Sequence, residues 1–187
     1  MTAQALDRIL LIGMMGAGKT TVGHALTDLL GWPYWDNDEL LLRAIGRTTR
    51  EVQEQDGEHA LRRAESRALD VALTEGGPLV AGVAAGVVTD PLDCERLRTG
   101  GYVVWLRASL GLLARRVAGT NRPWLGDSPL IALEQLYVGR EHLYATVASQ
   151  IVDVDDKDPG GIARLITAGL VEAQRVSAGV RDGEPCH

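Results

Sequence analysis

The stretch Arg8-Ile-Leu-Leu-Ile-Gly-Met-Met-Gly-Ala-Gly-Lys-Thr20 governs how the rest of the chain is read. Its first half is a short apolar run stopped by Gly13, the pattern of a strand buried on both faces. After it, Val22, Leu26, Leu29 and Leu30 recur at helical spacing, which predicts a helix from Lys19 to Leu30. Between the two, Gly13 to Thr20 fits G-x-x-x-x-G-K-[ST] in the strand–loop–helix setting that the pattern requires. Glycines let successive N–H groups curl around phosphate oxygens, and the helix N-terminus adds its dipole. Lys19 is then placed to reach the β- and γ-phosphates, and Thr20 to offer its hydroxyl to Mg²⁺. Gly16, Ala17, Gly18 and Thr21 complete the expected nucleotide-binding set. A glycine-rich turn matching by chance is the bland alternative, and the flanking strand and helix argue against it.

Working outward, Trp32 to Trp35 reads as a second strand that delivers acids, Asp36-Asn37-Asp38, at its C-terminal end. Residues 39–75 read as helical with a break at Gly46-Arg47-Thr48-Thr49. Apolar runs at 79–83, 102–106 and 151–154 are further strands. Asp90-Pro91 opens a short helix, Ser109 caps another over 110–117, a third covers 128–147, and Asp158-Pro159 starts the last, which reaches about 174. Strands alternating with helices predict an α/β fold around a five-stranded parallel sheet. The expected organisation is one domain over residues 1–174 with a flexible tail at 175–187.

The chain of 187 residues is 45% hydrophobic and 24% charged, enough for one well-packed core and typical of a soluble protein. No apolar run approaches the ~20 residues of a membrane span, and the N-terminus lacks a signal-peptide pattern. Cys94 and Cys186 form no ligand or redox spacing, which points to a reducing, cytoplasmic setting. A net charge of −6 argues against a nucleic-acid partner. Lys19 and Lys157 are the lysines and arginine supplies the other basic residues. Arginine's planar fork suits carboxylates and phosphates.

Which acid helps hold the metal? The third strand runs into Ala84-Ala85-Gly86 and the fourth ends in Arg107, so neither brings a carboxylate. The second strand does, at the sheet end where open α/β folds bind ligands. On an extended segment Asp36 and Asp38 share a face. A solvated turn that merely caps the next helix is the bland alternative.

Three arginine contexts stand out: "GEHALRRAE" with Arg62, "RRVAGTNRPWL" with Arg116 and Arg122, and "GREHLY" with Arg140. Together with the phosphate loop, "DND" and "VDVDDKDP", in this order and spacing, they make the chain resemble the shikimate kinase family from about residue 8 to about 169. The resemblance implies a three-layer α/β/α P-loop kinase fold with acceptor-binding helices at about 39–75 and a mobile lid at about 118–128. It also implies a monomer that uses ATP and Mg²⁺ to phosphorylate a small hydroxylated carboxylic acid, shikimate first among the candidates. By the same resemblance, Asp38 binds the acceptor hydroxyls, Asp36 belongs to the metal's outer shell, and Arg62 and Arg140 grip the acceptor carboxylate. Arg122 stabilises the transferring phosphoryl group, and Arg116 and Pro159 sandwich adenine. Catalysis would then rest on Lys19, Asp38 and Arg122.

The chain departs from the family pattern on the acceptor side. Ala84-Ala85-Gly86 stands where three glycines are usual, and Ala85 and Gly86 would meet the acceptor. If the backbone there needs positive φ, alanine is costly by about 1–2 kcal/mol. Gln53 and Leu61 fall at expected aromatic positions, and the lid is about one residue short. These changes leave open a different small polyol or hydroxy-acid acceptor, or a nucleotide-binding regulator without turnover. A GTPase is disfavoured because no Asn-Lys-x-Asp guanine motif occurs.

Overall fold

The computed structural model describes residues 6–118 and 129–179. Arg122 and nearly all of the expected lid lie outside them. Five strands form one parallel sheet in the order β2-β3-β1-β4-β5. They are β1 (Arg8–Ile12), β2 (Tyr34–Trp35), β3 (Leu79–Gly82), β4 (Tyr102–Arg107) and β5 (Gln150–Asp153). Residues 9–12 of β1 are buried, as a central strand covered on both faces demands. Its register places Leu11 beside Gly82 of β3 and Val104 of β4. The C-terminal ends of all three strands therefore open along one edge.

Seven α-helices connect the strands among the described residues: α1 (Lys19–Leu30), α2 (Asn37–Ile45), α3 (Thr49–Thr74), α4 (Pro91–Gly100), α5 (Leu110–Val117), α6 (Pro129–Val147) and α7 (Pro159–Gly179). α1 packs on α7 and against β1 and β3, while α4 and α6 pack on β4 and on each other, giving the helix–sheet–helix layering of the expected fold. No helix among the described residues is long and apolar enough to cross a membrane.

The helix starts follow the expected chemistry. Asp90 accepts from Leu92 N–H at 2.8 Å ahead of Pro91, Ser109 Oγ from Leu112 N–H at 3.3 Å, and Asp158 Oδ1 from Gly161 N–H at 2.8 Å. The break at 46–49 is a left-handed Gly46 (φ 70°) followed by a capping box. There Thr48 N–H donates to Glu51 Oε2 at 2.7 Å, and Glu51 N–H donates to Thr48 Oγ1 at 3.3 Å. Three expectations need correcting. α7 continues to Gly179, so residues 175–179 are helical rather than tail. α3 is interrupted at Gly57 (φ 78°, ψ −177°), one turn before Arg62. Most important, the strand ahead of the acids is only two residues long. Asp36 is the N-cap of α2, accepting from Glu39 N–H at 2.9 Å, and Asp38 lies in its first turn. The two acids do not share a strand face. The capping role weighed as the bland alternative is real for Asp36, although both residues still reach one cavity.

Close packing of β2 relies on two glycines. A Cβ on Gly23 of α1 would lie 2.2 Å from the Tyr34 ring, and one on Gly82 of β3 would lie 2.4 Å from its hydroxyl oxygen. The ring cannot retreat from one without striking the other. Gly23→Ala is therefore expected to destabilise the protein by about 1–3 kcal/mol, as overpacking does. Urea unfolding with an unchanged m-value would show it.

Candidate active site

The loop after β1 takes left-handed backbone at Gly13 (φ 136°), Gly16 (φ 81°) and Gly18 (φ 97°). At Gly13 the need is also steric, since a Cβ would stand 2.7 Å from the Leu106 carbonyl oxygen of β4. Two cations engage the loop's carbonyls. Lys19 Nζ donates to Gly13 O at 2.9 Å and Met14 O at 3.3 Å, and Arg116 Nη1 donates to Gly16 O at 3.1 Å and Ala17 O at 3.3 Å. A loop whose carbonyl dipoles are paired with cations repels an anion less, which suits a phosphate cradle at a helix N-terminus.

A cavity of about 1100 Å³ opens along the C-terminal edge of the sheet, more than a single small ligand usually fills. Its wall includes Gly16, Ala17, Gly18, Lys19, Thr20 and Thr21 of the phosphate loop, with Arg116 and Pro159. The same cavity is lined by Asp36, Asp38, Arg62, Ala85, Gly86 and Arg140. Every expected site residue among the described ones thus lines a single cavity. Gln53 and Leu61 line it too.

Asp38 is held by Thr49, whose hydroxyl donates to Oδ1 and whose N–H lies 3.3 Å from the same atom. One carboxylate oxygen is thereby fixed at the start of α3. Arg62 donates to Glu65 at 2.6 Å and to Glu58 at 3.1 Å. Burial opposes the charge on Arg62, but the two carboxylates outweigh it and raise its pKa. Glu65 is itself 6% exposed, and burial pushes its pKa up against the pull of Arg62 and Arg140. Arg140 is buried at 8% exposure.

The alanines behave differently from expectation. No non-glycine residue among those described has positive φ, so Ala84 and Ala85 sit in ordinary backbone and carry no such strain. The retained glycine is the one that matters. Gly86 has φ −87°, yet a Cβ there would fall 1.9 Å from Arg62 Nη1, so the guanidinium lies directly on its backbone. Ala85 is fixed from behind by Tyr144, whose hydroxyl donates to Ala85 O at 2.8 Å. Tyr144 is fully buried, stacks on Trp105 with ring centroids 5.6 Å apart, and lies 3.7 Å from Met14 Sδ. Sequence reasoning missed Tyr144, Glu65, Thr49 and Tyr34. Only Glu65 carried a local signal, three residues after Arg62 on the same helix.

Metal fit follows from the donors present. Among the described residues no cluster of three or more His, Cys, Asp or Glu could cage an ion. Thr20 with Asp36 nearby instead suits Mg²⁺, which keeps most of its ligands as water and phosphate oxygens.

A phosphate loop that shares one cavity with a carboxylate and two arginines, at the sheet's edge, defines a P-loop kinase for a small molecule. The family model for shikimate kinase matches residues 15–171. The chain belongs to the shikimate kinase family. The shikimate kinase of Thiobacillus denitrificans is 35% identical over 166 residues, covering 88% of this chain and 90% of that protein. That of Acinetobacter baylyi is 40% identical over 163 residues, covering 86% and 90%. The solved shikimate kinase from Acinetobacter baumannii in complex with shikimate superposes with a TM-score of 0.83 at 31% identity, covering 91% and 96%. A gluconokinase from Sinorhizobium meliloti, at 19% identity and a TM-score of 0.63, shares the fold.

The Gly86–Arg62 contact yields a sharp expectation. Gly86→Ala needs no backbone change, and the atom it strikes is the end of a flexible side chain. The melting temperature should stay within a few degrees while the guanidinium is pushed off its seat. Steady-state kinetics should show KM for a carboxylate acceptor raised about tenfold or more, the scale of a lost charge-assisted hydrogen bond, with KM for ATP unchanged.

Proposed function

We propose that the chain transfers the γ-phosphoryl group of ATP to a hydroxyl of shikimate, forming shikimate 3-phosphate and ADP. The observation that carries this is the shared cavity, lined both by the phosphate loop and by Arg62, Arg140 and Asp38. Lys19 lies across the loop, placed to follow charge as it builds on the β- and γ-phosphates. Thr20 and Asp36 would hold Mg²⁺, which neutralises phosphate charge when bound. Asp38 orients the acceptor hydroxyl and takes up its proton as the new P–O bond forms. Arg62 and Arg140 grip the acceptor carboxylate, where bidentate forks fix orientation as well as charge. Arg116 and Pro159 flank the adenine. Arg122 covers the transferring group in this reading, although it lies outside the described residues. The protein's part is positioning and electrostatic stabilisation, which supply most of the catalysis in phosphoryl transfer. We take it to act as a cytoplasmic monomer, in keeping with a sequence in which Cys94 and Cys186 form no metal-ligand or redox spacing.

One observation favours a second acceptor. Gln53 and Leu61 replace expected aromatic rings in the cavity wall, which makes that wall less aromatic and, at Gln53, more polar. A related hydroxy acid is the alternative substrate on that ground.

ATP turnover with shikimate beside other cyclic and acyclic polyols and hydroxy acids separates the two. The greatest kcat/KM is expected for shikimate; a higher value for another acid would move the assignment to it, and ATP consumption with none of them would remove it. Asp38→Asn should lower kcat by about 10²–10⁴-fold, the range for losing a proton acceptor, with ATP affinity unchanged by calorimetry.

A further inference from the structure

Tyr144 is the buried polar side chain that the transfer chemistry does not use. Its ring lies fully buried on α6, stacked on Trp105, and its hydroxyl donates to Ala85 O at 2.8 Å. Burial raises the pKa of the phenol, so the proton that makes this bond stays in place.

The bond matters because of the turn it reaches. All three carbonyls of Ala84-Ala85-Gly86 are engaged. Ala84 O accepts from Val87 N–H at 3.3 Å, and Gly86 O accepts from Thr89 N–H at 3.0 Å and Thr89 Oγ1 at 2.7 Å. Those bonds are local, whereas the one to Ala85 O comes from 59 positions away. The peptide between Ala85 and Gly86 is trans. In a trans peptide the C=O and N–H point in opposite directions. With its carbonyl drawn to Tyr144 in the core, this peptide turns the Gly86 N–H the other way. Ala85 and Gly86 both line the cavity, and among the described residues the Gly86 N–H makes no hydrogen bond. The Arg62 guanidinium lies directly on the same glycine. A backbone N–H and a guanidinium therefore converge on one place, an arrangement that receives an anion.

We propose that Tyr144 is a positioning residue for the acceptor: by holding the Ala85 carbonyl, it keeps the Gly86 N–H turned into the cavity as a donor to the acceptor carboxylate beside Arg62. The inference rests on the reading that a carboxylate acceptor is seated at Arg62. Without the phenol proton, Ala85 O loses its partner and the peptide is free to rotate, taking the N–H with it.

The test is steady-state kinetics with shikimate and ATP on wild type and Tyr144→Phe, which keeps the ring and its stacking. KM for shikimate should rise about 3- to 30-fold, the range for weakening one hydrogen bond to a charged group, with kcat and KM for ATP unchanged. A hydroxyl that served stability alone would lower the melting temperature and leave both KM values as they were, and that result overturns the inference. An equal rise in KM for ATP also overturns it, since it would show a general disturbance that reaches the phosphate loop through Met14. A second measurement does not depend on the variant. In wild type carrying isotope-labelled glycine, the Gly86 amide resonance, assigned by its loss in Gly86→Ala, should move downfield when shikimate is added. A resonance that stays in place overturns the inference while turnover of shikimate leaves the proposed function standing. Wild type that neither binds nor phosphorylates shikimate removes that function, and the inference with it.

Discussion

The turn between β1 and α1 is the constraint on which the rest of the site depends. Between Ile12 and Lys19 the chain must leave the sheet, form a concave loop and start a helix. It does so with left-handed backbone at Gly13, Gly16 and Gly18, which side chains rarely tolerate. β4 closes against the same loop through the Leu106 carbonyl, so Gly13 is needed for room as well as for conformation. Because β1 is central, with β3 and β4 parallel on either side, whatever the loop binds lies beside the ends of both neighbours. The acceptor wall after β3 is adjacent to the phosphate loop for this reason.

At the acceptor end the governing term is charge in a partly closed space. Arg62 and Arg140 face Glu65, and Arg62 also faces Glu58. The guanidiniums and the buried carboxyl offset one another's charge, whereas removing one partner would strand the rest. In the proposed reading, an anionic acceptor competes with the carboxylates that already engage Arg62. Of the two partners of Arg62, Glu58 is the more exposed and Glu65 the buried one.

Local signals in the sequence revealed what local physics decides. The glycine spacing of the phosphate loop, the Asp90-Pro91 and Asp158-Pro159 starts and the Ser109 cap each depend on neighbours within a few residues, and each appears where expected. The acids after β2 were misread because strand length there is set by pairing with β3, which engages only Tyr34 and Trp35. The alanines were overweighted for a related reason. Whether a position needs glycine depends on what lies over it, and Arg62, 24 positions before Gly86 in sequence, lies over Gly86 rather than over Ala84 or Ala85. Tyr144 reaches Ala85 across 59 positions, a contact that no period or motif encodes.

That contact also separates the rigid from the adjustable part of the site. In-line transfer tolerates little displacement between donor and acceptor atoms. Tyr144 bonds the turn that faces the acceptor, approaches Met14 within the phosphate loop, and is itself stacked on Trp105 in the core. Donor loop and acceptor wall are thus referenced to one buried ring. Arg62, by contrast, sits on α3 just beyond the break at Gly57, and α3 packs chiefly against α2, which begins with the site's two aspartates. α2 and α3 pack chiefly on each other, whereas the turn at Ala85 is tied to a ring buried in the core. Gln53 and Leu61 both lie on α3, whereas Ala84 and Ala85 lie on the wall behind which Tyr144 is bonded.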